Sequence, residues 1–305
     1  MVRKVLITGA GGMLGKDLSL QFKNHFEVSG LGRRALDSFP IPYFQQDLCD
    51  LPGTRNLFER EKPDLVFHTA AMTAVDDCES NREKAFKENV EVTQNVTDAS
   101  NRVNALVVFF STDYVYDGSK KGEYEETDPT HPLNYYGETK LAAEQYLQQN
   151  AKKFVIFRTS WLYGLNGKCF PRTILKKARE TDRLKVVSDQ VGRPTFTRDL
   201  AQALCGLIVV NPHALEKVSG EVFNLANEGT ASWAEFAKTI LELGGLSQVR
   251  VETITTGELQ RPARRPLNSV LSLKKLELIL GARLRPWKEA LQDFILELQR
   301  TKGKI

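Results

Sequence analysis

The chain has 305 residues, with 42 Lys and Arg against 38 Asp and Glu, a formal charge of +4. A hydrophobic share of 41% with 26% charged residues is ordinary globular usage and excludes disordered and fibrous classes. The basic residues are scattered, which argues against a nucleic-acid or membrane-surface footprint, and the longest apolar run, Ala105 to Phe110, is far short of the roughly 18 residues of a membrane-spanning helix.

Met1 to Ile7 passes from two basic residues straight into a strand-like run, so no signal peptide is expected and a cytoplasmic location is. Val5 to Thr8 reads as a strand, followed by a Gly-rich turn, a helical pattern to about Phe22 and a second strand at Phe26 to Leu31. Asp64 to His68 and Ala105 to Phe110 are near-continuous apolar runs, as in central strands covered on both faces. Between them, Ala85, Phe86, Val92, Val96 and Ala99 recur at helical spacing, which predicts one crossover helix over Arg82 to Asn101. A helix from about Asn134 to Gln149 leads into a strand at Phe154 to Phe157. This alternation predicts an α/β fold, a Rossmann-type doubly wound parallel sheet over residues 1–160 that binds NAD(P). Helical patterns at about 168–180, 198–210, 232–243 and 286–300, separated by turn-rich segments, predict a smaller mixed α/β substrate-binding region over 161–305, with some segments returning to the sheet.

Cys49, Cys78, Cys169 and Cys205 form no C-x-x-C pair, and His25, His68, His131 and His213 are equally dispersed. Free thiols and no metal site are expected.

Gly9, Gly12 and Gly15 stand between the first strand and the first helix in a G-x-x-G-x-x-G turn. The first permits the tight turn, the second lets a pyrophosphate approach the backbone, and the third allows close helix–strand packing. Amides of the helix N-terminus complete the cradle. The end of the second strand carries Gly32-Arg33-Arg34 where a carboxylate would otherwise accept the ribose diol. Two guanidinium groups favour a 2′-phosphate, hence NADP(H) over NAD(H).

Tyr136 and Lys140 lie four residues apart at a helix start and share one face, so an ammonium can tune a phenol that acts as a proton donor. Ser111 and Thr112 directly follow a central strand, at the sheet edge where α/β folds bind ligands, and the Thr112 hydroxyl could hold a carbonyl oxygen.

With Ser111 to Val115, Tyr136 to Lys140, Arg158 to Trp161, Asp189 to Thr195 and Arg264 to Ser269, the chain resembles the extended short-chain dehydrogenase/reductase family over nearly its whole length. The likeness is greatest to the dTDP-4-dehydrorhamnose reductase branch. The resemblance implies that Tyr136 donates the proton, Lys140 holds the nicotinamide ribose, and Thr112 hydrogen-bonds the C4 keto oxygen of a nucleotide sugar. It further implies that Asp113 and Trp161 line the substrate site, Met13 and Leu14 join the glycine turn around the cofactor, Asp47 and Leu48 contact adenine, and Ala70, Ala71, Met72 and Thr73 run along the cofactor. Two alternatives stay open: a reductase of another nucleotide 4-ketosugar, and a non-catalytic regulatory subunit like the methionine adenosyltransferase β subunit. Some relatives use magnesium at a dimer interface, but those acidic positions are not matched here and no metal is carried over. A homodimer is the expected assembly.

Overall fold

The computed structural model describes residues 2–302. Strands β1 (Lys4–Thr8), β2 (Glu27–Gly32) and β3 (Tyr43–Gln45) surround helix α1 (Met13–Phe22), and α2 (Leu51–Glu61) leads to β4 (Leu65–His68). The next crossover contains α3 (Val75–Ser80), α4 (Arg82–Phe86), a π-helical turn at Lys87–Glu91 and α5 (Val92–Arg102). Strand β5 (Leu106–Thr112) runs into a 3₁₀ turn, followed by α6 (Tyr135–Asn150) and β6 (Phe154–Thr159). A single helix was expected where the π turn interrupts the crossover. The wider turn brings Asn89 inward, where its side-chain amide accepts from the Met72 N–H at 2.7 Å and donates to the Met72 carbonyl at 3.1 Å.

The remaining elements are β7 (Leu162–Tyr163), α7 (Phe170–Lys177), β8 (Arg183–Val187), β9 (Val191–Gly192), β10 (Thr195–Phe196), α8 (Thr197–Val210), α9 (Ala214–Lys217) and β11 (Val222–Asn224). They are followed by β12 (Ala231–Ser232), α10 (Trp233–Leu243), β13 (Arg250–Ile254), α11 (Thr256–Leu259), α12 (Lys274–Leu280) and α13 (Trp287–Lys302). The main sheet has seven strands in the order β3-β2-β1-β4-β5-β6-β11, all parallel. This is the doubly wound α/β architecture, and its strand order reverses between β1 and β4.

Each face of the sheet has its own core. On one, Leu14, Leu18 and Phe22 of α1 pack with Leu200, Leu204 and Ile208 of α8 over Ile7, Phe67, Val108 and Phe157. Phe22, Phe67, Phe110, Phe157 and Phe223 form a row with successive ring centroids 4.8, 6.3, 6.2 and 6.0 Å apart, so one aromatic edge runs across the strands. On the other face, Leu57, Phe58, Val92 and Val96 cover Leu6 and Val66, while Ala143 and Leu147 of α6 cover Val107, Phe109 and Ile156. The chain beyond residue 160 thus supplies α8 and β11 to the sheet layers. The rest builds a smaller lobe in which α7, α10 and α13 bury Ile174, Phe236, Ile240 and Phe294 against the parallel pair β8 and β13. Among the described residues no helix is long and apolar enough to cross a membrane.

Helix α6 is seated by charge as well as by apolar packing. Arg158 on β6 donates from Nε and Nη2 to the Glu144 carboxylate of α6 at 2.7–3.2 Å, and from Nη1 to the Tyr116 hydroxyl at 2.7 Å and the Glu126 carbonyl at 3.1 Å. The two charged side chains are only 6% and 1% exposed, so neither has water as a substitute partner. Arg158→Met, which strands the Glu144 charge, should lower unfolding free energy by about 3–5 kcal/mol. In urea titrations, Arg158→Met/Glu144→Leu should recover much of that loss; equal losses in both variants would show that the stranded charge is not the cause.

Candidate active site

Two adjoining clefts open along the C-terminal ends of the strands, and both include Gly12, Thr69 and Ala71. This edge, at the reversal of strand order, is where the topology leaves room between loops.

The first cleft is lined by Gly9, Gly12, Gly32, Arg33, Asp47, Leu48, Ala70, Ala71 and Glu88, among others. Gly9 has φ +64°, and a Cβ there would lie 2.8 Å from the Ala70 backbone; at Gly15 a Cβ would lie 2.4 Å from the Gly9 carbonyl oxygen. The turn therefore tolerates no side chain facing these contacts. Gly12 caps α1 without a side-chain hydrogen bond, which leaves first-turn amides unclaimed by a capping side chain. A bare, amide-lined cradle of this kind fits a dinucleotide pyrophosphate. Gly15 and Met72 line neither cleft: Gly15 packs behind the turn, and Met72 is held by Asn89. The Asp47 Oδ1 accepts the Cys49 N–H at 3.0 Å, and Asp50, not Asp47, caps α2. Of the two arginines, Arg33 faces the cleft, whereas Arg34 lines neither one.

The second cleft, about 440 Å³, gathers Met13, Leu14, Thr73, Thr112, Asp113, Tyr136, Lys140 and Trp161. Thr112 ends β5 and is 6% exposed; its hydroxyl caps the 3₁₀ turn, accepting the Tyr114 N–H at 3.2 Å and donating to Asp113 Oδ1 at 3.1 Å. Asn134 caps α6, its Oδ1 accepting the Gly137 N–H at 2.9 Å. A Cβ at Gly137 would stand 2.3 Å from the Tyr114 carbonyl oxygen, so glycine alone lets the first turn of α6 close on the 3₁₀ turn. That contact sets the Tyr136 side chain beside Thr112 at the mouth of the cleft, its ring 6.2 Å edge-on from that of Tyr114.

Burial sets the protonation states. It pushes the Tyr136 phenol well above its ordinary pKa, and the neighbouring Thr112 hydroxyl only partly opposes it. The sequence reading had Lys140 lowering this pKa; in the fold, desolvation of the phenol outweighs such tuning, and the group stays protonated. Burial also lowers Lys140 to about 7, against the Glu144 carboxylate, while its ammonium lies 3.9 Å from the Phe109 ring centroid. Asp113 is raised to about 7, again by burial, with hydrogen bonds from Ser269 and Thr112 opposing; its Oδ2 is buried without a partner.

Trp161 adopts φ +48°, uncommon for a bulky residue, and its indole lies parallel to that of Trp233, centroids 3.6 Å apart at 6°. A Cβ at Gly192 would be 2.6 Å from the Trp161 ring, so Gly192 lets the indole seat there. Trp233 Nε1 donates to Gln190 Oε1 at 3.1 Å, so the smaller lobe fixes this wall. Trp233, Lys168, Glu88 and Asn89 escaped the sequence reading. Trp233 carries only the signal of a Ser232–Glu235 capping box, which marks a helix start and no ligand. Glu88 and Asn89 were legible only as part of a helical period. Among the described residues no group of three or more His, Cys, Asp or Glu side chains gathers to hold a metal ion.

Residues 3–300 match the family described as RmlD substrate binding domain. The chain is 37% identical over 295 residues to the spore coat polysaccharide biosynthesis protein SpsK of Bacillus subtilis, covering 96% of this chain and 97% of that protein. It is similar to the crystal structure of a dTDP-4-dehydrorhamnose reductase from Clostridium acetobutylicum, with TM-score 0.85 and 38% identity over 97% and 99% of the two chains. It is likewise similar to the dTDP-4-dehydrorhamnose reductase of Bacillus anthracis in complex with NADP, with TM-score 0.84 and 32% identity over 97% and 100%.

Asp113 keeps its proton in the fold to about pH 7, but its ordinary value is 3.8. The folded state therefore binds the extra proton between these values, and stability falls as pH rises across them. Relative to Asp113→Asn, the wild type should lose up to ~1.4 kcal/mol per pH unit over that window. Thermal unfolding of both proteins at several pH values across the window checks this; parallel curves would refute it.

Proposed function

This chain belongs to the RmlD substrate binding domain family, and we propose that it reduces the C4 keto group of dTDP-4-dehydro-6-deoxy-L-mannose to give dTDP-L-rhamnose, with NADPH as the favoured cofactor. It is an oxidoreductase on a Rossmann-type fold. The observation that carries the substrate chemistry is the protonated Tyr136 phenol beside Thr112 in a cleft shared with Lys140, Asp113 and Trp161.

The dinucleotide, when bound, supplies the hydride. With substrate in the cleft, the Thr112 hydroxyl hydrogen turns from Asp113 to the ketone oxygen and the Tyr136 hydroxyl donates to the same atom, polarising the carbonyl and fixing which oxygen receives the proton. Tyr136 passes its proton to the alkoxide oxygen as charge develops there. The phenolate left behind is costly in a buried site, and Lys140 in its ammonium form offsets that cost. Because Lys140 titrates near pH 7, its share of ammonium falls as pH rises above that value. Asp113, whose Oδ2 makes no hydrogen bond within the protein, accepts from or donates to a substrate hydroxyl according to its protonation. Trp161, clamped against Trp233, forms an apolar wall for the sugar and nucleotide. Arg33, at the ribose end of the first cleft, favours a 2′-phosphate. The setting is cytoplasmic sugar-nucleotide metabolism, and the assembly a homodimer.

The test is substrate-dependent oxidation of NADPH and NADH, followed by absorbance with the 4-ketosugar generated in situ. Tyr136→Phe should lower kcat by roughly 10²- to 10⁴-fold while leaving the Kd for NADPH within about twofold, since the phenol hydroxyl serves the ketone. Unchanged turnover in this variant would remove Tyr136 from the chemistry. No oxidation with a protein that binds NADPH would redirect the reading to a different ketosugar.

A further inference from the structure

Arg33 is not a free cation. Its Nη1 donates to Glu88 Oε1 at 2.6 Å and its Nη2 to Oε2 at 3.3 Å, a fork-on-fork pair at the wall of the first cleft. The Glu88 side chain is 13% exposed and Arg33 58%, so the carboxylate is the fixed partner and the guanidinium the movable one. Lys84 Nζ stands 4.0 Å from the same carboxylate. Glu88 owes its place to the π turn at Lys87–Glu91.

The second strand supplies no acid of its own at this end. A Cβ at Gly32 would stand 2.5 Å from the Tyr43 hydroxyl oxygen, which itself donates to the Arg34 carbonyl at 3.0 Å. A carboxylate at that position would have to displace Tyr43. Of the two carboxylates lining the cleft, Asp47 accepts the Cys49 N–H and acts on Arg33 only through its charge, whereas Glu88 is hydrogen-bonded to Arg33.

From this we propose that Glu88 is a cofactor-specificity residue: it ties down Arg33 and holds a negative charge at the ribose end of the cleft, so that the preference for a 2′-phosphate is weaker than the arginines alone would set. Two effects act in one direction. A 2′-phosphate must draw Arg33 out of its pair with Glu88, and it approaches a carboxylate that repels it. A ribose diol meets the same carboxylate as an acceptor of hydrogen bonds and needs nothing from Arg33. The pair therefore keeps NADH usable in a site whose arginines favour NADPH. This inference rests on the reading of the chain as a dinucleotide-dependent reductase.

The experiment measures Kd for NADPH and for NADH by titration calorimetry at one fixed ionic strength, in the full chain and in Glu88→Gln. The ratio Kd(NADH)/Kd(NADPH) should rise about tenfold in the variant, equivalent to ~1.4 kcal/mol, chiefly through tighter NADPH binding. Glu88→Ala, expected to move the ratio the same way, takes its place if Glu88→Gln does not fold. In Arg33→Met the unpaired Glu88 should weaken NADPH strongly and NADH little, and adding Glu88→Gln to it should restore part of the NADPH affinity. A ratio unchanged or lowered in the Glu88 variants, or no recovery in the double variant, overturns the role of Glu88 while leaving the reductase reading intact. A wild-type chain that binds neither dinucleotide overturns both.

Discussion

The position of α6 depends on one buried ion pair, and the candidate active site depends on α6. Arg158 reaches from β6 to Glu144 in the middle of the helix and, with the same guanidinium, to Tyr116 and the Glu126 carbonyl in the segment that follows β5. One side chain thus fixes the relation between the helix that carries Tyr136 and Lys140 and the strand end that carries Thr112. A buried guanidinium with a planar array of donors can hold three partners at once in a way that apolar packing cannot, because each hydrogen bond is directional. The apolar contacts of Ala143 and Leu147 against β5 and β6 supply adhesion, and Arg158 supplies register.

With the helix so placed, the protonation states follow from desolvation. Tyr136, Lys140 and Asp113 all sit where water is scarce, and burial moves each toward its neutral form: the two acids up, the amine down. A neutral phenol is the form a reductase needs as proton donor. The ammonium of Lys140 acts only to the extent that the loaded site favours it, since Glu144, its stabilising neighbour, is already committed to Arg158.

The smaller lobe reaches the site through a second set of polar contacts. Asp76 on α3 pairs with Arg265 at 3.1 Å and with Arg261 at 3.4 Å, anchoring the turn-rich segment 261–265 beside the cofactor-side helices. Arg193, 6% exposed, donates to the Leu271 and Gly229 carbonyls and pairs with Glu123. Gln190 joins Trp233 to Thr256. The motif around Asp189 to Thr195 therefore acts largely as a brace, and it supports the Trp161–Trp233 wall across the reacting end of the cleft.

What the sequence by itself determined are features whose causes are local. A glycine turn between strand and helix, a tyrosine and lysine four residues apart, a threonine at a strand end and the alternation of apolar runs with helical periods each follow from neighbours a few residues away, and so the doubly wound sheet and most of the cleft lining were legible. The tertiary structure decided whatever depends on contacts between distant segments. The row of phenylalanines, the pairing of Arg33 with Glu88, the sign of the Tyr136 shift, the stacking of Trp161 on Trp233 and the return of β11 to the sheet all join residues from 24 to 72 positions apart. Composition and periodicity record which residues prefer to be buried. They do not record how deeply a phenol is buried or which carboxylate meets a guanidinium, because those depend on three-dimensional packing and on the local loss of water.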